Sequence, residues 1–285
     1  MQRNLLFIGV AGLGAFLVLT STAVRQTHAQ GNKPRDFVAP VIFQAAGPGS
    51  DSIKGTVDDY RAALGKTVNG NAAGPLTDGH REINWDGGRT DIVATALSPN
   101  PFDGFKVSRG ALFTTPDGTG FVQAPPSADV APGGLAGVFN NPTYGTIFKT
   151  FSLSRLFSAI GSNITDVEFF VPGPDGRRAT VTGFGSVFTD VDQPDGGGPG
   201  KKHAPTTFME FFDADDELLF SSSVPASPGD GSLSFFGIVF KDARIARVRI
   251  TSGSVAPGPD EGGKRDVVMM DDFIYGEPQP IVPNP

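Results

Sequence analysis

Carboxylate side chains are the most conspicuous candidates for chemistry in this sequence. Asp190, Asp192 and Asp195 lie close together, immediately before the glycine run 196–198. Calcium is bound by about six to eight oxygen atoms, and carboxylates in a glycine-rich loop can converge on one ion. The spacing departs from that of an EF-hand loop, so an ordinary solvated turn is the alternative interpretation.

A second acidic pair, Asp271 and Asp272, lies within the otherwise apolar segment Val267–Tyr275. Neighbouring residues of a strand point to opposite faces, so we expect at least one of these carboxylates to face a covered side. A buried carboxylate needs a cation, an arginine or backbone N–H groups as its partner. Arg247 or Arg249 on a neighbouring strand would satisfy it, and so would calcium. The predicted calcium ligands are therefore Asp190, Asp192, Asp195, Asp271 and Asp272.

The segment Arg81–Gly87 contains the single tryptophan, Trp85, between two acidic residues. A tryptophan on a sheet face can stack on a sugar ring, and Glu82 with Asp86 would then form an acid–base pair. The alternative is a core tryptophan followed by a turn. Arg247 and Arg249 alternate with apolar residues along one strand, which gives that strand one buried and one wet face. Trp85, Arg247 and Arg249 are the candidate ligand-binding residues.

Other catalytic chemistry is poorly represented. The chain has no cysteine, which excludes a disulfide scaffold, a thiolate zinc site and a cysteine nucleophile. It has three histidines, which leaves little for histidine-based catalysis. A serine nucleophile elbow, a zinc-protease motif and a phosphate-binding loop are all missing from the sequence. This inventory favours a non-catalytic protein without deciding the question.

The N-terminus has the pattern of a signal peptide. Arg3 precedes a fifteen-residue uncharged apolar run, Leu5–Leu19, and we expect cleavage after Ala29. An uncleaved membrane anchor is the alternative. Cleavage would leave 21 basic and 30 acidic residues, an excess that argues against nucleic acid as a partner. No second apolar stretch reaches the length of the first, so we expect no membrane insertion after signal removal. The protein is therefore predicted to be secreted or periplasmic.

Turn-forming residues dominate the rest of the chain, which contains 38 Gly and 24 Pro. After an extended lead-in (30–50), the capping pattern predicts one short helix over Thr56–Leu64, ended by Gly65. The remaining apolar runs predict strands at Arg81–Trp85, Asp91–Leu97, Gly110–Thr114, Thr146–Leu153, Thr165–Val171, Ala179–Phe188, Thr206–Phe212, Glu217–Val224, Leu233–Phe240, Ile245–Thr251 and Asp266–Tyr275. Their short, regular spacing indicates an all-β, antiparallel two-sheet β-sandwich of jelly-roll type, formed by a single domain (51–278) with a Pro-rich tail (279–285).

Pairs of adjacent phenylalanines indicate which faces of the two sheets must be covered. Phe169–Phe170, Phe211–Phe212 and Phe235–Phe236 each place one ring on either side of a strand. A sheet with phenylalanine on both faces needs cover on both. We therefore expect both sheets to be covered on their outer faces as well as between them.

Several strings in the sequence resemble a group of exported bacterial proteins. They are Arg81–Gly87, Gly161–Val167, Gly183–Asp192 and Met270–Pro278. The resemblance covers roughly residues 55–278, and the C-terminal half is similar to jelly-roll modules of cell-surface proteins. It implies an exported bacterial jelly roll and assigns no activity to it.

The sequence thus predicts a secreted, non-catalytic β-sandwich that binds an extracellular ligand and is stabilised by calcium. A glycan is the first expectation for the ligand, and a cell-surface component is the wider one, because jelly-roll faces often present such sites. One alternative is an exported carbohydrate-active hydrolase or lyase that uses paired carboxylates, with Glu82 and Asp86 as its catalytic residues. Another is a structural protein of the cell surface or matrix.

Overall fold

A computed structural model describes residues 38–87, 94–127, 133–192, 206–260 and 265–281. Val38–Pro285 form one compact unit. The predicted signal peptide and Asp195 lie outside the described residues. Within the described ranges, no helix is both long enough and apolar enough to cross a membrane.

The described residues form fifteen strands and four helices. The helices are α1 (Ser50–Leu64), α2 (Lys106–Arg109), α3 (Gly134–Val138) and α4 (Tyr144–Ile147). The strands are β1 (Val41–Gly47), β2 (His80–Ile83), β3 (Ala96–Pro99), β4 (Ala111–Thr114), β5 (Gly120–Ala124), β6 (Leu156–Ile160), β7 (Ile164–Phe169), β8 (Ala179–Thr180), β9 (Gly183–Thr189), β10 (Phe208–Phe212), β11 (Leu218–Ser223), β12 (Leu233–Val239), β13 (Arg247–Thr251), β14 (Met269–Gly276) and β15 (Gln279–Pro280).

These strands pair into two large antiparallel sheets. The eight-stranded sheet has the order β1-β12-β9-β14-β6-β5-β3, and β2 pairs with the second half of β14. The five-stranded sheet has the order β11-β10-β13-β7-β4, and β8 with β15 forms a small two-stranded ribbon. The prediction of an all-β, antiparallel two-sheet sandwich is confirmed.

The central strands of the eight-stranded sheet are buried on both faces. On β12, Phe236 points into the core between the two sheets, whereas Phe235 points outward and packs with Tyr60 of α1. Further along the outer face, Leu156 and Met269 pack with Leu135 of α3. The two-sided cover expected from the phenylalanine pair is therefore present on this sheet.

The five-stranded sheet differs, because its outer face is not covered in the same way. On β10, Phe211 is fully buried in the core between the sheets. Its neighbour Phe212 points outward and stays half-buried. The expectation of cover on both faces is thus wrong for this sheet. One face packs on the core, and the other remains partly open to solvent.

Several local predictions also need correction. The lead-in was expected to be merely extended, but residues 41–47 form an edge strand paired with β12. The helix starts at Ser50, six residues before the predicted cap Thr56. It ends before Gly65, as expected. Residues 146–153 do not form a strand, because residues 146 and 147 are the last two of α4 and the rest form a loop. The Pro-rich tail contributes β15.

Two glycines allow α1 to lie close against the sheet. Gly185 and Gly237 are opposite each other on β9 and β12, directly beneath the ring of Tyr60. A Cβ atom on Gly237 would lie 2.9 Å from the Tyr60 ring and 3.1 Å from the Gly185 Cα. A side chain at this position would therefore push the helix away from the sheet.

We predict that Gly237→Ala lowers the free energy of unfolding by about 1–3 kcal/mol, because overpacking here displaces Tyr60. The matched control is Gly55→Ala on the exposed side of α1, where a Cβ would meet nothing within 4 Å. That control should raise stability by about 0.5–1 kcal/mol through helix propensity. Urea denaturation measures both changes, and equal effects of the two substitutions would contradict this packing.

Candidate functional site

The partly open side of the five-stranded sheet, named the open face below, carries three rows of side chains that cross the strands. The middle row is polar and consists of Ser221, Glu210, Arg249, Asp166 and Thr114. The row on one side contains Ser223, Phe208, Thr251 and Ile164. The row on the other side contains Leu218, Phe212, Arg247, Glu168 and Leu112. Strict alternation along β10 and β13 creates this face, because every second residue there points into the core.

Asp166 holds both arginines of the open face in fixed positions. Arg249 donates to its two carboxylate oxygens over 2.9 and 2.7 Å, and Arg247 donates to one of them over 3.1 Å. The hydrogen bond with Asp166 raises the pKa of Arg249. Arg247 also pairs with Asp216, and its guanidinium lies 3.9 Å above the ring of Phe212. The candidate ligand-binding residues Arg247 and Arg249 therefore lie together, on strand positions that point to solvent.

Two further carboxylates on this face have no such partner. Glu210 lies opposite Arg249 in the middle row, and Glu168 lies opposite Arg247. Neither forms a hydrogen bond or an ion pair within the described part of the chain. Sequence reasoning overlooked Asp166, Glu168 and Glu210. The alternation that marked β13 as one-sided is also present in β7 and β10, and it would have found them.

Trp85, the third candidate ligand-binding residue, does not lie on the surface. Its side chain is fully buried, and its ring stacks on Phe157 at 3.7 Å between centroids. Phe105, Phe113 and Phe273 pack against its edges and faces. The indole N–H donates to the Asp271 carbonyl over 3.0 Å. Trp85 is therefore a core residue, which is the alternative that the sequence left open, because its ring offers no surface to a ligand.

Asp271 and Asp272 point to the same side of the sheet rather than to opposite sides. In β14, Met270 pairs with Phe188 and Phe273 pairs with Ser186, so both aspartates stand opposite one residue of β9. This is a β-bulge, which adds one residue to β14 and breaks the alternation. The Ser152 hydroxyl donates to both carboxylates, over 3.2 Å to Asp271 and 2.6 Å to Asp272.

Backbone N–H groups donate to the deeper of these two carboxyls. Asp271 accepts the N–H groups of Phe151 and Ser152 over 2.6 and 3.3 Å. Burial, with the neighbouring charge of Asp272, raises the pKa of Asp271 well above its usual range. Burial therefore favours the protonated form of Asp271, whose carboxyl also forms a side-chain hydrogen bond with Asp272. Arg61 of α1 reaches Asp272 over 3.3 Å. Arg247 and Arg249, the expected partners, lie on the other sheet.

Arg61 and His80 hold Glu82 in the ionised state. Arg61 donates to it over 2.7 and 3.2 Å, and the His80 Nε2 atom is 2.9 Å from the same carboxylate. Burial opposes ionisation of Glu82, but these hydrogen bonds outweigh it and lower the pKa to about 2. A groove of 530 Å³ between α1 and β2 is lined by Glu82 together with Asp58, Arg61, Ala62, Lys66, Val68 and His80.

Asp86, the proposed partner of Glu82 in catalysis, is absent from the lining of that groove. It is buried, and one of its oxygens accepts the Arg155 backbone N–H over 3.1 Å. Burial raises its pKa to about 6. The two carboxyls therefore lie in different environments, and Asp86 has little access to solvent.

The loop carboxylates predicted to bind calcium are only partly described. Asp190 is buried at the end of β9, and Asp192 accepts the Gly229 N–H over 3.0 Å. Asp192 also interacts with Asp266, whose pKa burial raises to about 6. Among the described residues, no group of three or more His, Cys, Asp or Glu side chains has an arrangement that could hold a metal ion. Calcium binding stays a prediction, and Asp271 and Asp272 lie in a different part of the fold from Asp190 and Asp192.

In comparisons with known proteins, no family model, no curated protein and no solved structure matches the chain. The resemblance to exported bacterial jelly-roll proteins therefore stays a prediction. The site has to be argued from its own geometry.

The raised pKa of Asp271 leads to a test. We predict that Asp271→Asn leaves the free energy of unfolding at pH 7 within about 1 kcal/mol of the parent value, because an amide has the shape of the protonated carboxyl that burial favours and still accepts two N–H groups. A raised pKa means that the parent loses stability as the pH rises above the ordinary carboxyl range. The Asn variant should lose less stability than the parent between pH 4 and pH 7 in urea titrations.

The matched variant is Asp271→Ala, which leaves the Phe151 and Ser152 N–H groups without their acceptor. It should cost about 2–4 kcal/mol at every pH. If the Asn variant at pH 7 were as unstable as the Ala variant, Asp271 would have to be ionised in the folded protein.

Proposed function

We propose that this protein is a non-catalytic binding module that holds an extracellular glycan on its open face. The observation that carries the proposal is the contrast between the two sheets. The eight-stranded sheet is packed on both sides, whereas the open face presents half-buried arginine, carboxylate, hydroxyl and phenyl groups in regular rows. Such a surface suits an extended ligand with both hydroxyl edges and apolar faces.

The chemistry of the rows fits sugar hydroxyls. Arginine donates from a rigid planar fork and carboxylates accept, so together they bind neighbouring hydroxyl groups. Phe208 and Phe212 add apolar surface beside the polar row, which suits the C–H faces of a sugar ring. The ion pairs with Asp166 fix Arg247 and Arg249 before any ligand arrives, which lowers the entropic cost of binding.

The hydrolase alternative has weaker support. A retaining or inverting glycosidase needs two carboxyls that face one cleft about 5–10 Å apart, and one of them must be protonated. Glu82 lines a groove but is ionised by Arg61 and His80, whereas Asp86 and Asp271 are buried. The hydrogen bonds and ion pairs of these carboxyls support a structural role, and the hydrolase is therefore kept as the alternative.

The proposal also includes secretion or periplasmic export, and calcium as a stabilising ion. Both parts are based on the sequence. The signal-peptide pattern supports export to the periplasm or the medium. If no glycan bound, the interpretation would instead be a structural protein of the cell surface or matrix.

We predict that Arg249→Gln weakens binding to the best glycan of a polysaccharide pull-down or array at least about tenfold, since it removes charged hydrogen bonds from the middle row. The matched control is Arg244→Gln. Arg244 pairs with Asp242 and lies over Phe240, outside the three rows. The control should bind like the parent. Equal binding by all three proteins, or no glycan retained above background, would contradict the proposal.

A further inference from the structure

The open face carries more negative than positive charge. Four carboxylates lie on or beside it, namely those of Asp166, Glu168, Glu210 and Asp216, against two guanidinium groups. The charge of the whole chain is also negative, at −7. Two arginines on a sheet face would ordinarily suggest an anionic ligand, but here they are outnumbered.

The arginines are also already engaged. Arg249 uses two donors on Asp166, and Arg247 divides its donors between Asp166 and Asp216. An incoming carboxylate or sulfate that took over the donors used by Asp166 would displace Asp166 from these bonds. It would then leave a carboxylate that is only 6% exposed without its counter-ions. Losing the partners of such a charge is costly.

Glu168 beside Arg247 and Glu210 beside Arg249 add a repulsive element to the open face. Each lies next to an arginine across the strands without forming a close ion pair in the described structure. Their charges therefore interact with a ligand bound on the open face as well as with the neighbouring arginines. Like charges brought together at an interface give specificity by excluding the wrong partner.

The middle row sets the direction of the ligand. It crosses all five strands of the sheet from Ser221 to Thr114. With neighbouring strands about 4.8 Å apart, the row is about 19 Å long. Apolar side chains flank it on both sides, with Phe208 in one row and Phe212 in the other.

From these features we infer that the open face selects neutral glycan chains that lie across the strands, and that it rejects polyanionic ones. The inference rests on the proposed function and adds the class of glycan to it. Neutral hydroxyls donate to Glu210 and Glu168 and accept from the outward edges of the arginines, so they use the face without displacing Asp166. A uronate or sulfate group meets the carboxylates instead.

The test compares matched ligands by isothermal titration calorimetry. The probes are neutral hexasaccharides of glucose, xylose, mannose and galactose, each beside a carboxylated form of the same chain. We expect at least one neutral chain to bind and its carboxylated form to bind about tenfold more weakly or not at all. The ratio should grow when the salt is lowered from about 150 to about 20 mM, because screening weakens.

A double variant, Glu168→Gln with Glu210→Gln, should bring the neutral-to-anionic affinity ratio towards one. The control is Asp59→Asn, which removes a charge from the exposed side of α1 and should leave the ratio unchanged. Equal or tighter binding of the carboxylated chains by the parent would overturn this inference and leave the proposed function standing. Failure of every probe, neutral and anionic, would overturn both.

Discussion

The need to bury both faces of the eight-stranded sheet organises this protein. Phenylalanines point to both sides of β12, so one layer of cover is not enough. The five-stranded sheet covers one face, and α1 with α3 and α4 covers the other. Because the five-stranded sheet is an outer layer of this arrangement, its own outer face has little left to pack against. The proposed binding surface is thus a consequence of how the core is covered.

Buried charge is the second constraint, and the protein meets it with local partners. Arg81 is fully buried and forms a two-bond pair with Glu277 over 2.7 and 2.8 Å, while its remaining donors reach the carbonyls of Gly70 and Ser108. Breaking such a pair is expensive because one charge would remain in a medium that solvates it poorly. For Asp271, burial raises the pKa and so favours the neutral carboxyl, which costs less to bury than a charge. Glu277 and Asp271 thus both have hydrogen-bonding partners inside the fold.

Periodicity in the sequence predicted the fold class and the two-sided strands, but it did not predict breaks in that periodicity. The alternation of Ala246–Ile250 correctly placed Arg247 and Arg249 on a wet face. It failed at Asp271 and Asp272, because a β-bulge depends on pairing with β9, which lies far away in sequence. Thr146–Leu153 has the composition of a strand, but residues 148–153 form a loop. In this loop the Phe151 N–H donates to the Asp271 side chain instead of to a neighbouring strand. Such partners are set by tertiary structure.

The central claim is that ligands bind at the open face and not at the groove beside α1. The most direct measurement is an NMR titration that follows the side-chain Nε–H signals of the arginines with a neutral glycan. The account predicts that the signals of Arg247 and Arg249 shift, whereas those of Arg61 and Arg155 stay in place. A shift of the Arg61 signal with unchanged signals from Arg247 and Arg249 would contradict it and would place the site in the groove.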